Sequence, residues 1–286
     1  VAKKIGPKKL GDKKEAAVVE DTSYTLPKTM TTPSTDMQDY SMLLSGEKKI
    51  GKTTLASMFP KTFVMLTEPG GKSLRMYAAP VTSWKAAQGY LRALEKDDAL
   101  DEPRFKYVVI DTADRLAHQC DRAMCKKMGI EHMSDEAWGK GYAVVKDEFT
   151  SFMNRLLALN KGVILTSHAA EREYKAKGET VTRMVTTLPK WAGEIIEGLV
   201  DMWFHYTYEG DERTLIIRGN EGVAAGHRLQ NNFLDPDGTE VASIKMGPTA
   251  VDGYRNLLDA FANTYAPAKP VETPKAVVRK FKVAKS

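Results

Sequence analysis

Short apolar runs alternate with stretches of helical periodicity from about Met37 onward, and that alternation predicts an α/β domain. The runs at 40–45, 62–67, 105–111 and 162–168 are nearly continuous, as expected of strands buried on both faces of a parallel sheet. Helical patterns lie between them. Residues 53–59 read as the first turns of a helix stopped by Pro60, and 83–95 set Trp84, Ala87, Leu91 and Leu94 on one face. A third helix is expected over 113–128, and a fourth over 143–159 with Phe149, Phe152, Met153, Leu156 and Leu157 inward. After a short helix at 194–199, runs at 201–208 and 213–218 flank Glu209-Gly210-Asp211-Glu212 as a hairpin. Asp235-Pro236-Asp237-Gly238 is a turn, and Thr249 with Asp252 forms a capping box for a last helix to about Tyr265. The expected architecture is a mostly parallel, doubly wound sheet with helices on both faces and a C-terminal β-hairpin region.

The first strand runs into Gly46-Glu47-Lys48-Lys49-Ile50-Gly51-Lys52-Thr53, which fits the phosphate-binding P-loop G-x-x-x-x-G-K-[ST]. Strand, glycine loop and helix in that order let backbone N–H groups wrap an anion at a helix N-terminus. Residues 46–54, ending at Thr54, are therefore the expected nucleotide cradle. Lys52 reaches the β- and γ-phosphates and the Thr53 hydroxyl ligates Mg²⁺, so the expected ligands are ATP and Mg²⁺. The apolar run ending in Asp111 has the Walker B pattern, whose aspartate holds the metal; a helix N-cap at Asp111-Thr112 is a second role the same position allows.

Glu68 ends the second strand before Pro69-Gly70-Gly71, where ligands bind in open α/β sheets, and can polarise the water that attacks the γ-phosphate. A solvated turn residue is the plainer alternative. Thr112, not glutamate, follows Asp111, whereas AAA+ ATPases usually place a catalytic glutamate there. An acid after the second strand with a lone Walker B aspartate is the RecA-like arrangement. Thr166 and His168 end the strand that senses the γ-phosphate in P-loop ATPases.

Basic and aromatic side chains mark two candidate contacts for single-stranded DNA. One is Trp138-Gly139-Lys140-Gly141-Tyr142, with Trp138, Lys140 and Tyr142 available; a helix-entry turn with its aromatics in the core is the alternative. The other is 169–188, expected as a functional loop or hairpin carrying Arg172, Tyr174, Lys175, Lys177 and Arg183. Glu171, Glu173 and Glu179 dilute its charge, and a solvated hairpin is the alternative. Arg218 and Arg228 are candidates to reach a neighbouring subunit's nucleotide, with Arg228 ahead because it lies in the glycine-containing loop 222–228.

Composition narrows the picture. With 286 residues, 42% hydrophobic and 28% charged, the chain can bury a sizeable core. No apolar run approaches about 18 residues and the start has no secretory pattern, so no membrane partner is expected. Cys120 and Cys125 have poor spacing for a metal site or disulfide and read as reduced thiols of a cytoplasmic protein. The net charge of +5 belongs to the tails. Residues 1–36 carry seven basic and five acidic residues, 266–286 six and one, and the middle 29 and 31. The reading is a basic, Thr/Pro-rich arm at 1–36, one domain over 37–265 and a flexible basic tail at 266–286.

The order of motifs resembles the phage-encoded, RecA-like P-loop ATPases of the Sak group, associated with single-strand annealing and recombination. The resemblance spans roughly 38–265 and rests on the P-loop, Thr67-Glu68-Pro69-Gly70-Gly71, Val108-Val109-Ile110-Asp111, Trp138 to Tyr142, and Leu165-Thr166-Ser167-His168. It implies an ATPase acting on single-stranded DNA as an oligomer or filament in an infected bacterial cytoplasm, with a phage or host single-strand-binding protein as a possible partner. It also implies Glu68 as the water-activating base and His168 as sensor. The charged Glu47-Lys48-Lys49 departs from the small residues commoner in such loops. A helicase, helicase loader or other replication motor is the alternative, as is a nucleotide-dependent scaffold without catalysis. Asn160-Lys161-Gly162-Val163 lacks the aspartate that reads guanine, which argues against a GTPase, and no arginine-rich lid suggests a small-molecule kinase.

Overall fold

The computed structural model describes residues 26–136, 139–176 and 179–266. Residues 1–33 and 34–286 are separate units, and the described part of the first holds no regular element. The second is built on one ten-stranded sheet.

In chain order its elements begin with β1 (Ser41–Gly46), α1 (Lys52–Ala56), β2 (Thr62–Leu66), β3 (Tyr77–Pro80), α2 (Trp84–Asp98) and β4 (Tyr107–Asp111). They continue with α3 (Ala113–Met128), α4 (Lys140–Leu157), β5 (Gly162–Ala176), β6 (Glu179–Thr186) and α5 (Lys190–Leu199). The last are β7 (Met202–Glu209), β8 (Glu212–Ile216), β9 (Gly226–His227), β10 (Ser243–Lys245) and α6 (Ala250–Phe261). Sheet order is β10-β8-β7-β1-β5-β4-β2-β3, with β6 on β5 and β9 on β7. The six strands from β7 to β3 are mutually parallel. This is the doubly wound α/β fold of a RecA-like P-loop core, with β5 inserted between the P-loop strand and the Walker B strand.

Successive residues of the central strands enter opposite cores. Leu43, Val108, Ile110, Val163 and Leu165 pack with α2, α3, α4 and α5. Leu44, Val109 and Ile164 pack with α1 and α6. Burial on both faces, at about 1.5–3 kcal/mol for each large aliphatic side chain, explains why these runs read as continuous. The helices start where their caps are: Ser83, Thr112 and Thr249 accept from the backbone N–H of Ala86, Arg115 and Asp252. The cap of α3 is thus Thr112, and Asp111 remains in the strand.

Several expectations change. The C-terminal β-hairpin is present as β7–β8, and β7 also pairs in parallel with β1 from Met42↔Met202 to Gly46↔Tyr206, so it belongs to the main sheet. Of the two readings of 169–188, the structure has the hairpin: residues 169–186 are the outer half of β5 and its partner β6, in register from Ala169↔Thr186 to Ala176↔Glu179. Helix α4 starts at Lys140, three residues earlier than expected, so Gly139-Lys140-Gly141 is the helix entry that the alternative reading gave, but with Tyr142 exposed and not in the core. Gly141 is required there by close approach, since a Cβ would lie 2.4 Å from the Met133 carbonyl oxygen. The strands β3, β9 and β10 were not expected, and α5 begins four residues earlier than its pattern suggested.

Candidate active site

The P-loop leaves β1 at Gly46, where no side chain fits: a Cβ would lie 2.3 Å from the Tyr206 carbonyl oxygen of β7. Gly51, the N-cap of α1, has φ +112°, a conformation that costs an L side chain strain. Between them Glu47, Lys48 and Lys49 are exposed, while Ile50 is buried. The Ile50 carbonyl accepts from Arg213 Nε at 3.1 Å, which ties the loop to β8. Thr54 follows in α1, half-buried.

Lys52 is buried and donates from Nζ to the carbonyls of Gly46 at 2.8 Å and Glu47 at 2.7 Å. Burial lowers its pKa from 10.5 to about 8, opposed by the carboxylates of Asp111, Asp114, Glu68 and Glu47. Buried His205 on β7 lies 3.2 Å from Ser45 Oγ; burial, then the Lys52 charge, push its pKa down to about 4, so it is neutral.

Asp111 stands at the carboxyl end of β4. Its Oδ2 accepts from Thr53 Oγ1 at 2.7 Å and its Oδ1 from Thr166 Oγ1 at 2.5 Å. The Asp111–Thr112 peptide is cis, and Thr112 N–H donates to Thr67 Oγ1 at 2.7 Å. Glu68 accepts at Oε1 from Thr112 Oγ1 at 3.2 Å, and its Oε2 lies 3.3 Å from His168 Nε2. The Glu68 side chain is 34% exposed, so solvent reaches it. Four segments, namely the P-loop and the ends of β2, β4 and β5, therefore deliver Lys52, Thr53, Glu68, Asp111, Thr166 and His168 to one place. A hydroxyl and a carboxylate 2.7 Å apart beside a phosphate-binding loop are a donor set that suits Mg²⁺, which keeps water and phosphate as its other ligands. The described residues contain no group of three or more His, Cys, Asp or Glu able to hold a metal by themselves.

Other candidates lie elsewhere. Arg228 is at the opposite end of the sheet, where its N–H donates to the Asp201 carbonyl at 3.0 Å and its guanidinium to the Gly198 carbonyl at 2.8 Å. Arg218 pairs with Glu240 at 2.6 Å. Lys140 and Tyr142 are exposed on the first turn of α4. Trp138 and Lys177 lie outside the described residues, as does the Lys175 side chain. Arg172, Tyr174 and Arg183 line one cleft of about 300 Å³ against α5. Arg172 and Arg183 are direct cross-strand neighbours, and Glu197 on the cleft wall has a pKa raised by burial, against the pull of Arg183 and Arg172.

Sequence reasoning missed Arg213, Thr112 as the partner of Glu68, and Asp114. Nothing local marks Arg213, because only the β7–β8 pairing brings it to the loop. Asp114 has a signal in hindsight: it is three residues after Asp111, and so on the first turn of the helix that follows the Walker B strand.

Residues 38–229 match a family model described as an AAA domain, well over half of the chain. The chain belongs to this AAA-domain family. In this P-loop domain the position after the Walker B aspartate is filled by Thr112, itself hydrogen-bonded to Glu68. No curated protein matches the sequence. A solved structure of a prototypical ATPase from the type III secretion system of pathogenic bacteria aligns with 59% of this chain at 14% identity and a TM-score of 0.40. The aligned part is 51% of that protein, so the chain spans about half its length. No helix among the described residues is long and apolar enough to cross a membrane.

Proposed function

We propose that this AAA-domain ATPase hydrolyses ATP on Glu68 and couples the reaction to single-stranded DNA held by the β5–β6 hairpin. One observation carries the reading: β5 is a single strand whose inner half ends in Thr166 and His168 beside Asp111 and Glu68, and whose outer half bears Arg172 and Tyr174. Displacement at the nucleotide is thereby displacement of the DNA-facing surface.

In this mechanism Lys52 turns from the Gly46 and Glu47 carbonyls to the β- and γ-phosphates. Thr53 and Asp111 hold Mg²⁺, which neutralises charge on the phosphate oxygens when bound. Glu68 orients the attacking water and takes its proton. His168, bonded to Glu68, registers the departure of the γ-phosphate, and Thr166 ties Asp111 to the same strand. Tyr174 offers a stacking face for a base and the paired arginines a partner for backbone phosphates, with affinity that falls steeply with salt. Oligomers or filaments in phage recombination or replication, in the bacterial cytoplasm, follow from the motif resemblance. Arg228 acts in them only if a neighbour's P-loop meets the opposite end of the sheet. The acidic surplus of the middle of the chain, 31 acidic against 29 basic residues, favours a second reading in which a protein partner, as in a helicase loader or scaffold, replaces DNA.

Steady-state hydrolysis with and without single-stranded DNA tests the proposal, with Lys52→Ala, Glu68→Ala and the double change Arg172→Ala/Arg183→Ala. Stimulation by DNA that the arginine changes abolish, over a basal rate that Lys52→Ala and Glu68→Ala abolish, is the expected result. Hydrolysis indifferent to DNA overturns the DNA assignment and leaves the protein-partner reading.

A further inference from the structure

Three consecutive residues of β5 are each hydrogen-bonded to a carboxylate from a different position. Thr166 donates to Asp111, Ser167 Oγ donates to Asp114 Oδ1 at 3.1 Å, and His168 meets Glu68. Strand alternation sends Thr166 and His168 to the nucleotide side and Ser167 to the opposite face, against the first turn of α3. Asp114 is only 6% exposed there. Its Oδ1 also accepts from Thr187 Oγ1, and Thr187 N–H donates to the His168 carbonyl at 2.9 Å. Ser167 and Thr187 are the feet of the hairpin, one on each leg where it leaves the sheet. A single carboxylate oxygen therefore holds both legs. The other, Oδ2, is buried with no protein partner among the described residues. Leaving a buried carboxylate oxygen unpaired costs stability, so the arrangement is not explained by stability alone.

We infer that Asp114 is a positioning residue: a latch that fixes the base of the hairpin to the Walker B helix, so that nucleotide-driven movement of β5 reaches both legs together. Were Asp111 to shift on holding Mg²⁺ with Thr53, Thr166 on its Oδ1 would carry the nucleotide side of β5 with it, while Ser167 stays held by Asp114. The strand end then pivots about Asp114, and Oδ2 offers the two hydroxyls an alternative acceptor on the same side chain. Asp114 touches no nucleotide. Its effect on chemistry runs through the placement of Thr166, His168 and Glu68. This inference rests on nucleotide binding at the P-loop, not on hydrolysis or on DNA as the partner.

The test is hydrogen exchange by mass spectrometry on the full chain, with and without Mg²⁺ and a slowly hydrolysed ATP analogue, alongside steady-state kinetics. Protection of peptides over 46–56 reports occupancy of the P-loop, independently of turnover. In the unmodified protein, occupancy should change exchange over 169–186 by at least about threefold, as expected for a shifted local opening equilibrium. Asp114→Asn, nearly isosteric, should abolish that response and lower kcat roughly tenfold through sub-ångström misplacement, with KM within about twofold. Thr187→Val removes one leg's donor without touching the helix and should reproduce the loss if Asp114→Asn folds poorly. P-loop protection with no hairpin response in the unmodified protein overturns the latch. So does a hairpin response of full size in the variants, or a loss of kcat and KM in proportion to lost thermal stability. Absent hydrolysis with intact exchange coupling would sink the catalytic proposal and leave the latch standing.

Discussion

Nucleotide affinity should fall as pH rises above about 8, because Lys52 must be charged to hold phosphate and burial makes that charge costly. The perturbation is pH alone. In the free protein the Lys52 pKa drops from 10.5 to about 8, through burial and despite Asp111, Asp114, Glu68 and Glu47 around it. The neighbouring His205 is neutral well below this range and adds no charge of its own. A bound triphosphate adds anionic oxygens beside Nζ and returns the pKa toward its ordinary value. The sign follows: below about pH 8 free and bound forms both carry the proton, and binding is independent of pH. Above it the free protein has lost the proton and binding must take one up. Each pH unit then costs about 1.4 kcal/mol, or tenfold in Kd, up to the pH where the bound form also titrates. At pH 9 about nine-tenths of the free protein holds Lys52 neutral, and Kd should be about tenfold weaker than at pH 7. Calorimetric titration in two buffers of different ionisation enthalpy reads both the Kd and the proton uptake, which should approach one per nucleotide near pH 9. Triphosphate oxygens are fully ionised in this range and contribute no slope. Lys52→Arg, always protonated, should bind without the slope. A flat Kd from pH 7 to 9.5, or the same slope in Lys52→Arg, would refute the reasoning.

Three further outcomes follow from the same geometry. Gly46→Ala forces a Cβ against the Tyr206 carbonyl and should cost about 1–3 kcal/mol by overpacking, whereas Gly89→Ala, with nothing within 4 Å, should stabilise α2 by about 0.5–1 kcal/mol; calorimetric melting compares the two. Lys161→Met leaves Asp97 and Asp98 around a buried position where Nζ now pairs with them at 2.9 and 3.3 Å, and should cost about 3–5 kcal/mol at pH 7. Burial would raise the Asp97 pKa, but hydrogen bonds from Lys161, Arg104 N–H and Phe105 N–H take it below 3.8. A depressed carboxylate stabilises above its unfolded pKa and loses that contribution as pH falls through the folded one. The difference in melting temperature from the unmodified protein should therefore shrink below about pH 4. Asp111→Asn keeps the shape that Thr53 and Thr166 bond but removes the charge. It should abolish the gain in nucleotide affinity on adding Mg²⁺ and slow hydrolysis by about a hundredfold or more, both readable against EDTA-treated samples.

What the sequence revealed was local. The P-loop, the strand ending in Asp111, the Thr112 and Thr249 caps and the apolar face of α2 are each written in a few adjacent residues, and the folded chain follows them closely. The site's outline was legible for the same reason, since each part ends a strand. Pairing was not. Nothing near Trp203 or Phe204 says that their strand lies beside Leu43 and Leu44, because a parallel neighbour is fixed by packing far along the chain. The outer half of β5 was legible only as a loop or hairpin, because Glu171, Arg172 and Glu173 are all polar and no buried face imposes an alternation. At Gly139 and Gly141 the glycines left a loop and a helix entry both open, and the structure has the entry: one supplies a positive φ for the helix cap and the other clears a carbonyl.

The hairpin's construction bears on how it can respond to nucleotide. A two-stranded hairpin alone is marginal in water, and this one is reinforced only at its base. Met184 N–H donates to the Gly222 carbonyl at 2.7 Å, and the Met184 carbonyl accepts from Ala224 N–H at 3.1 Å, an isolated bridge beside β6 at Val223. This bridge and the Asp114 bonds to Ser167 and Thr187 lie in the inner part, and the cleft against α5 extends outward as far as Tyr174. Beyond Thr182 the described backbone pairing is β5 with β6 alone. Stability therefore decreases from the active site outward. In the proposed coupling, a change at Glu68 or Asp111 would pass through the hydrogen-bonded base of the hairpin to its outer half. Tyr174, six residues beyond His168 and lining the cleft against α5, is where the proposed displacement would alter contact with a bound chain.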